Sequence, residues 1–275
     1  MRFVFLDDSR QNAPTRPGMG ALVAIGGFSL PVESVRDIER ALDQKCRDVG
    51  FPPQEPFKWS PGKGLWMRDS LIGAARQQFL LDVIGLLAGA GATAIVTVSD
   101  TNCRTATNAK TPEVDVTNML LERIHLHLVR SGTDGLVIAD RPSGGRSDEE
   151  KFLLSCLEMT QEGAGYVVPD RVCINVVSSP TKFIRLLQAA DVVVSCTLAR
   201  IAGEYTHTPP VFERIRQILF ADGGRIGGIG LKLHPDFKFA NLYHWLVGDE
   251  TLWRFNLGVG LPLLGRPYAK SPDVY

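Results

Sequence analysis

The chain carries no net charge: 30 lysine and arginine residues are matched by 30 aspartate and glutamate residues. Proteins that grip nucleic acid regardless of sequence draw their affinity from phosphate contacts and show a basic excess. Avid, sequence-independent DNA binding is therefore unsupported, although a local basic groove around an acidic centre stays compatible with neutrality. Cysteine is scarce, at positions 46, 103, 156, 173 and 196, and no C-x-x-C pair occurs. This spacing offers neither a disulfide framework nor a zinc cage, and predicts isolated reduced thiols in a cytoplasmic protein. No apolar run reaches the roughly 18–20 residues that span a bilayer, so no membrane association is expected. A signal peptide's charged-then-apolar opening is missing as well. The few histidines give little. His125 and His127 lie two apart on a predicted helix and face different directions, unlike the i,i+4 pair of a zinc protease. His207, His234 and His244 are scattered and read as structural. No G-x-S-x-G elbow supports a serine hydrolase. The GGRIGGIG stretch (223–230) lacks a strand–turn–helix setting and a following GK[ST], so it reads as a glycine-rich strand rather than a nucleotide loop.

What is present is an ordinary globular composition, 44% apolar and 22% charged, over 275 residues, enough for a substantial core. Strands are predicted at about 2–8 and 20–29, separated by the turn-rich SRQNAPTRPGMG. Pro31 opens an amphipathic helix to about 49 with Val35, Ile38, Leu42 and Cys46 at helical spacing. A proline-rich loop, FPPQEPFKWSPGKG, leads to a long predicted helix over 67–90 and a buried strand at 93–99. Helices at 112–131, 148–162 and 181–204 then alternate with strands at 134–140 and 170–178. A helix at 209–220, the glycine-rich strand at 224–234 and a last helical segment at 238–247 follow. The opening pair, with no helix between its strands, predicts an antiparallel hairpin. The later alternation predicts parallel pairings, and the two together a mixed α/β sheet flanked by helices.

Against this background four aspartates stand out. Met1–Asp8 reads MRFVFLDD, an apolar strand ending in two carboxylates. Side chains alternate along a strand, so Phe3, Phe5 and Asp7 share one face and Val4, Leu6 and Asp8 the other. Asp7 is the one expected to enter a common site, with Asp8 already turning beside Ser9. Asp140 closes the apolar run GLVIAD, and sites in open α/β sheets gather beyond strand C-termini. Asp100 also follows a strand, but Asp-Thr-Asn is ordinary turn chemistry. Asp191 lies inside the nearly uncharged LLQAADVVVSCTLARIA, on one helical face with Gln188 and Ser195. A lone buried carboxylate costs several kcal/mol or takes up a proton. A divalent cation shared by Asp7, Asp140 and Asp191 resolves that cost. Glu55 is a further candidate ligand, and Lys58 a candidate phosphate contact, both in QEPFKWS.

FLDDS near the start, the K-W-S element, a strand ending in Asp and a late Q-x-A-D helix together resemble domain-of-unknown-function family 3800 (DUF 3800), in the right order over about residues 3–200. The resemblance implies a ribonuclease-H-like fold, with a core over 1–205 and a C-terminal extension over 206–275 packed on the same domain. It places Asp7 and Asp8 at the family's D-E positions, Ser9 at its serine, Lys58 at its lysine, and Gln188 and Asp191 in its late helix motif. Asp8 departs from the usual glutamate, and Arg10 stands where glycine is typical. Together these observations predict a metal-dependent phosphodiester hydrolase, a nuclease in particular. Asp7, Asp140 and Asp191 would be catalytic and would hold Mg²⁺ or Mn²⁺ with Asp8 and Glu55. Ser9, Lys58 and Gln188 would bind a nucleic acid or nucleotide substrate. The competing expectation is a non-enzymatic adaptor or nucleotide-binding protein on the same scaffold.

Overall fold

Arg2–Gln11 forms β1, the central strand on which the rest of the molecule is assembled, and it runs three residues further than the sequence predicts. The computed structural model describes residues 1–103, 111–164, 167–254 and 257–275. β1 is followed by β2 (Leu22–Pro31), α1 (Val32–Asp48), α2 (Trp66–Ser70), α3 (Gly73–Gly89), β3 (Thr93–Asp100), α4 (Pro112–Arg130), β4 (Gly135–Asp140) and α5 (Arg146–Glu162). Then come β5 (Val177–Ser179), α6 (Arg185–Ile201), α7 (Thr208–Ile218), β6 (Leu231–His234), α8 (Ala240–Val247) and a separate hairpin of β7 (Thr251–Arg254) and β8 (Leu257–Gly260). The main sheet has the order β5-β4-β1-β2-β3-β6. The fold is α/β, with a mixed six-stranded sheet covered by helices on both faces.

The predicted antiparallel hairpin is present: β1 pairs with β2 from Arg2 opposite Pro31 to Gln11 opposite Leu22. β4 joins β1 in parallel, β5 joins β4 in parallel, and β6 joins β3 in parallel. β3, by contrast, runs antiparallel to β2 even though helices intervene. A single crossover helix returns the chain to the opposite end of the sheet. The two long helices α1 and α3 go out and back, and so deliver it to the end it left.

Four other expectations need correction. The helix over 67–90 is broken, since α2 stops at Ser70 and α3 restarts at Gly73 in the left-handed region (φ 58°). The strand expected at 170–178 reduces to Val177–Ser179, with a single isolated bridge from Val172 to Gly135. The helix expected from 181 begins as a 3₁₀ turn at Thr181–Phe183 and becomes α6 only at Arg185. The strand over 224–234 survives as β6 alone. Ahead of it the amides of Ile226 and Gly227 donate to the Asp249 carboxylate (3.1 and 2.7 Å), so this glycine-rich stretch is a structural turn.

Alternation in the strands divides the core in two. Phe5, Ala24, Phe28, Val96 and Val98 pack beneath α6, α1 and α3, while Val4, Leu6, Val23, Ile25 and Val137 pack beneath α4 and α5. α6 is buried along nearly its whole length. A helix so enclosed must have its terminal backbone groups satisfied by other elements. Glu39 of α1 accepts the amides of Arg185 and Leu186 at its start (2.7 and 2.9 Å). Arg16, 2% exposed, donates to the carbonyls of Ile201 and Arg200 at its end (2.8 and 3.2 Å). Negative charge at the N-terminus and positive at the C-terminus also suit the helix dipole. These clamps set the position of α6 along β1.

Of the histidines, His127 is buried with Nε2 2.8 Å from Ser29 Oγ, and burial beside Arg2 pushes its imidazole down to about 4. It is a neutral core group at physiological pH. All five cysteines are free.

Glu39→Ala should strip both α6 amides of their acceptor and lower stability by about 1–3 kcal/mol. A urea unfolding midpoint measures this, and an unchanged midpoint would contradict the clamp.

Candidate carboxylate centre at the end of the first strand

Because β1 stays regular through Gln11, Asp7 and Ser9 face α6, and Asp8 and Arg10 face α4 and α5. The parallel register with β4 pairs Leu6 with Ala139, and its next step sets Asp7 beside Asp140. On the other side Asp7 pairs with Gly26, where a Cβ would run into the backbone of Ile95 and Val96 on β3. α6 then lays Asp191 and Ser195 over the same face. Ser195 Oγ bridges Ser9 Oγ (3.0 Å) and Asp191 Oδ1 (3.2 Å), fixing helix to strand.

Asp191 Oδ2 accepts the amide of Trp59 (2.7 Å), and Gln188 Oε1 accepts that of Phe57 (3.2 Å). Lys58 lies between these two pinned amides and makes no ion pair among the described residues. Its charge nevertheless acts on Asp7, Asp8 and Asp191. Gln188 Nε2 donates to the Thr181 carbonyl (3.1 Å), and the Thr181 amide donates to Asp140 Oδ1 (2.8 Å). One amide side chain thus ties the Lys58 loop and the Asp140 carboxylate to the same helix.

Asp7 is 5% exposed; its Oδ1 accepts the Asp8 amide (2.7 Å), while Oδ2 is buried with no hydrogen-bond partner among the described residues. Burial pushes the Asp7 carboxyl well above the usual range, and the charges of Asp191 and Asp140 push the same way against Lys58. Burial raises Asp191 too, opposed by Lys58, the Trp59 amide and Ser195. Asp140 Oδ1 is committed to the amides of Arg141 (2.8 Å) and Thr181, and Oδ2 has no donor among the described residues. Asp8 is exposed on the opposite face, where partial desolvation and Asp140 raise it against Arg10 and Lys58.

The structure therefore gathers Asp7, Asp140 and Asp191, with Lys58 and Asp8 close enough to act on them and Ser9 joined through Ser195. Two expected participants have other work. Glu55 Oε1 accepts the Trp66 amide (2.6 Å) at the start of α2, which ties its carboxylate to the loop rather than to the centre. Gln188 is completely buried, and protein partners occupy both ends of its amide, including Arg185 Nη1 (2.9 Å). It positions the centre and has no surface to offer a substrate. Asp100, 1% exposed, accepts the amides of Gly20 and Asn102 and is a structural turn residue. Sequence reasoning missed Thr181 and Trp59, which act through backbone amides and so leave no side-chain signature.

Oxygen-only carboxylate donors suit Mg²⁺ and Mn²⁺. Among the described residues no three acidic, histidine or cysteine side chains close into a ready-made cage. The unpartnered Asp7 Oδ2 and the uncommitted Asp140 Oδ2 nevertheless fit a hard cation, with Asp191 completing the set. Two crevices flank the centre. One of about 370 Å³ lies under α4 and α5 and touches Asp7, Asp8 and Asp140. The other, about 880 Å³, lies on the α6 side beside Ser9, Trp59 and Ser195.

No protein-family model matches the chain, and no curated protein matches it at a significant level.

The raised carboxyls carry a stability consequence. Between the unfolded Asp value near 3.8 and the raised folded value, the native state holds more protons than the unfolded one, so stability falls as pH rises. In a metal chelator, Asp7→Asn should therefore melt several degrees above the parent at pH 7, at about 2–4 °C per kcal/mol. The gain should vanish near pH 4. Thermal melts across that range test it, and a lower melting temperature for the variant at pH 7 would contradict it.

Proposed function

We propose that the chain is a divalent-metal-dependent phosphodiester hydrolase, of nuclease type, on a ribonuclease-H-like sheet related to DUF 3800. The observation that carries the reading is the buried, half-unpartnered carboxylate of Asp7, flanked by Asp140 and Asp191 and facing Lys58. In support of the fold assignment, β1, β2 and β3 form an antiparallel meander, and β4 and β5 extend the sheet from β1 in parallel. The carboxylates stand at the end of the central strand of that sheet, which is in keeping with the proposed scaffold.

Asp7, Asp140 and Asp191 would hold Mg²⁺ or Mn²⁺, which when bound polarises a phosphodiester and acidifies water. The chain's own groups do the rest. Asp7, whose carboxyl burial and its acidic neighbours hold well above the usual range, would bind such a cation in its ionised form. Asp191 is held in one orientation by Trp59 and Ser195, so little reordering is needed at the moment of reaction. Lys58, which forms no ion pair among the described residues, is placed to meet a substrate phosphate. Asp8, exposed with a raised carboxyl, is placed to take a proton from water arriving beneath α4 and α5. Gln188 acts through others, by holding the Lys58 loop and Thr181.

A structural reading draws on Asp191 alone: both its oxygens have protein donors and Lys58 offsets its charge, as an adaptor on this scaffold would also require.

Hydrolysis of bis(p-nitrophenyl) phosphate in Mn²⁺ separates the two. The hydrolase reading expects turnover that falls at least about 100-fold in folded Asp7→Ala and Asp191→Asn, a transition-state loss near 3 kcal/mol. Lys58→Ala should lose less. Turnover indifferent to these substitutions, or none in any divalent cation, would favour the adaptor.

A further inference from the structure

The crevice beneath α4 and α5 combines an apolar floor with a carboxylate rim. Leu6, Val23, Ile25, Val116 and Phe152 line it, and Asp7, Asp8 and Asp140 stand at one end. Small-ligand sites are built this way, in clefts of about 300–1,000 Å³ with mostly apolar walls and a few placed polar groups. At about 370 Å³ this cleft has room for one base with its sugar, not for a run of them. Phe152 is partly buried against the floor and offers a ring on which a planar base can stack. Ser155 of α5 and Ser143 before it supply hydroxyls on the wall.

The charges around the cleft oppose a long polymer. Among the described residues lining the cleft, Arg10 is paired with Glu113 (2.8 Å) and Lys151 with Asp148 (3.4 Å), so each of these cations already stands beside a carboxylate. On the other face Arg76 spends its guanidinium on the carbonyls of Leu71, Met67 and Arg68. Tracking a strand takes a row of free cations. The chain as a whole has no net charge to supply one.

We propose that the cleft beneath α4 and α5 is a nucleoside pocket, and that the centre beside it acts on a small nucleotide rather than a nucleic-acid polymer. The base enters over Phe152, and the phosphate lies toward Asp7 and Asp140. This assignment rests on the phosphodiester-hydrolase reading of the same centre and narrows its substrate from a nucleic-acid strand to a small nucleotide.

The test uses the four common ribonucleoside 5′-monophosphates and a single-stranded oligonucleotide as probes, with binding followed by calorimetry in Mn²⁺ and in chelator. Ser155→Trp fills the cleft from α5 and Val114→Phe from α4, and neither replaces a carboxylate. Circular dichroism reports whether each folds, and either one suffices. The expected result is binding of at least one monophosphate, weakened at least about tenfold by the filling substitutions, with Mn²⁺ affinity unchanged. Monophosphates that fail to bind, or bind equally well to the filled variants, overturn the pocket. So does an oligonucleotide that binds without competition from them. If Mn²⁺ binding and bis(p-nitrophenyl) phosphate hydrolysis persist in such a case, the pocket alone has failed. If nucleotides bind in the cleft while Mn²⁺ binding and hydrolysis are absent, the hydrolase reading has failed and the pocket stands as a binding site.

Discussion

A carboxylate removed from water resists ionisation, and neighbours of the same sign resist it further. β1 places Asp7 under both constraints at once. It is buried beneath α6, one oxygen has no partner, and Asp140 and Asp191 stand on either side. Much of the surrounding architecture can be understood as holding those three carboxylates in place against their repulsion. Glu39 and Arg16 clamp the ends of α6, Ser195 pins it to Ser9, and Gln188 fastens both the Lys58 loop and Thr181. The Lys58 charge lowers the tension from within the centre, together with the Trp59 amide and Ser195 at Asp191, and among the described residues it forms no ion pair with any one carboxylate.

Such an arrangement costs stability. Replacing a buried, repelled charge by a neutral isostere commonly stabilises a fold, so a cluster kept under strain points to use rather than to packing.

The centre was legible in the sequence to the extent that side-chain periodicity determines it. Strand alternation picked Asp7 over Asp8, and the single acidic residue in an apolar helix picked Asp191. Asp140 followed from its place at a strand end. Glu55 misled because a glutamate beside a lysine in a loop looks the same whether it meets a cation or a backbone amide. Gln188 misled because its helical face was right while its burial, set by the loop folding over it, was invisible. The antiparallel β2–β3 pairing was equally hidden: whether two helices carry a chain out and back depends on their packing, not on local pattern. Nothing in the spacing of Phe152, Ser155 and Val114 marks them as walls of one cleft, since α4 and α5 meet only in the folded molecule.

The account stands most directly on the protonation of Asp7. Mn²⁺ titrations by calorimetry at pH 7, in two buffers of different ionisation enthalpy, count the protons released on binding. If the raised Asp7 carboxyl is driven to ionise by the cation, binding should release protons, and Asp7→Asn should reduce that release and weaken binding. Binding with no proton release, or release unchanged in the variant, would contradict the central claim.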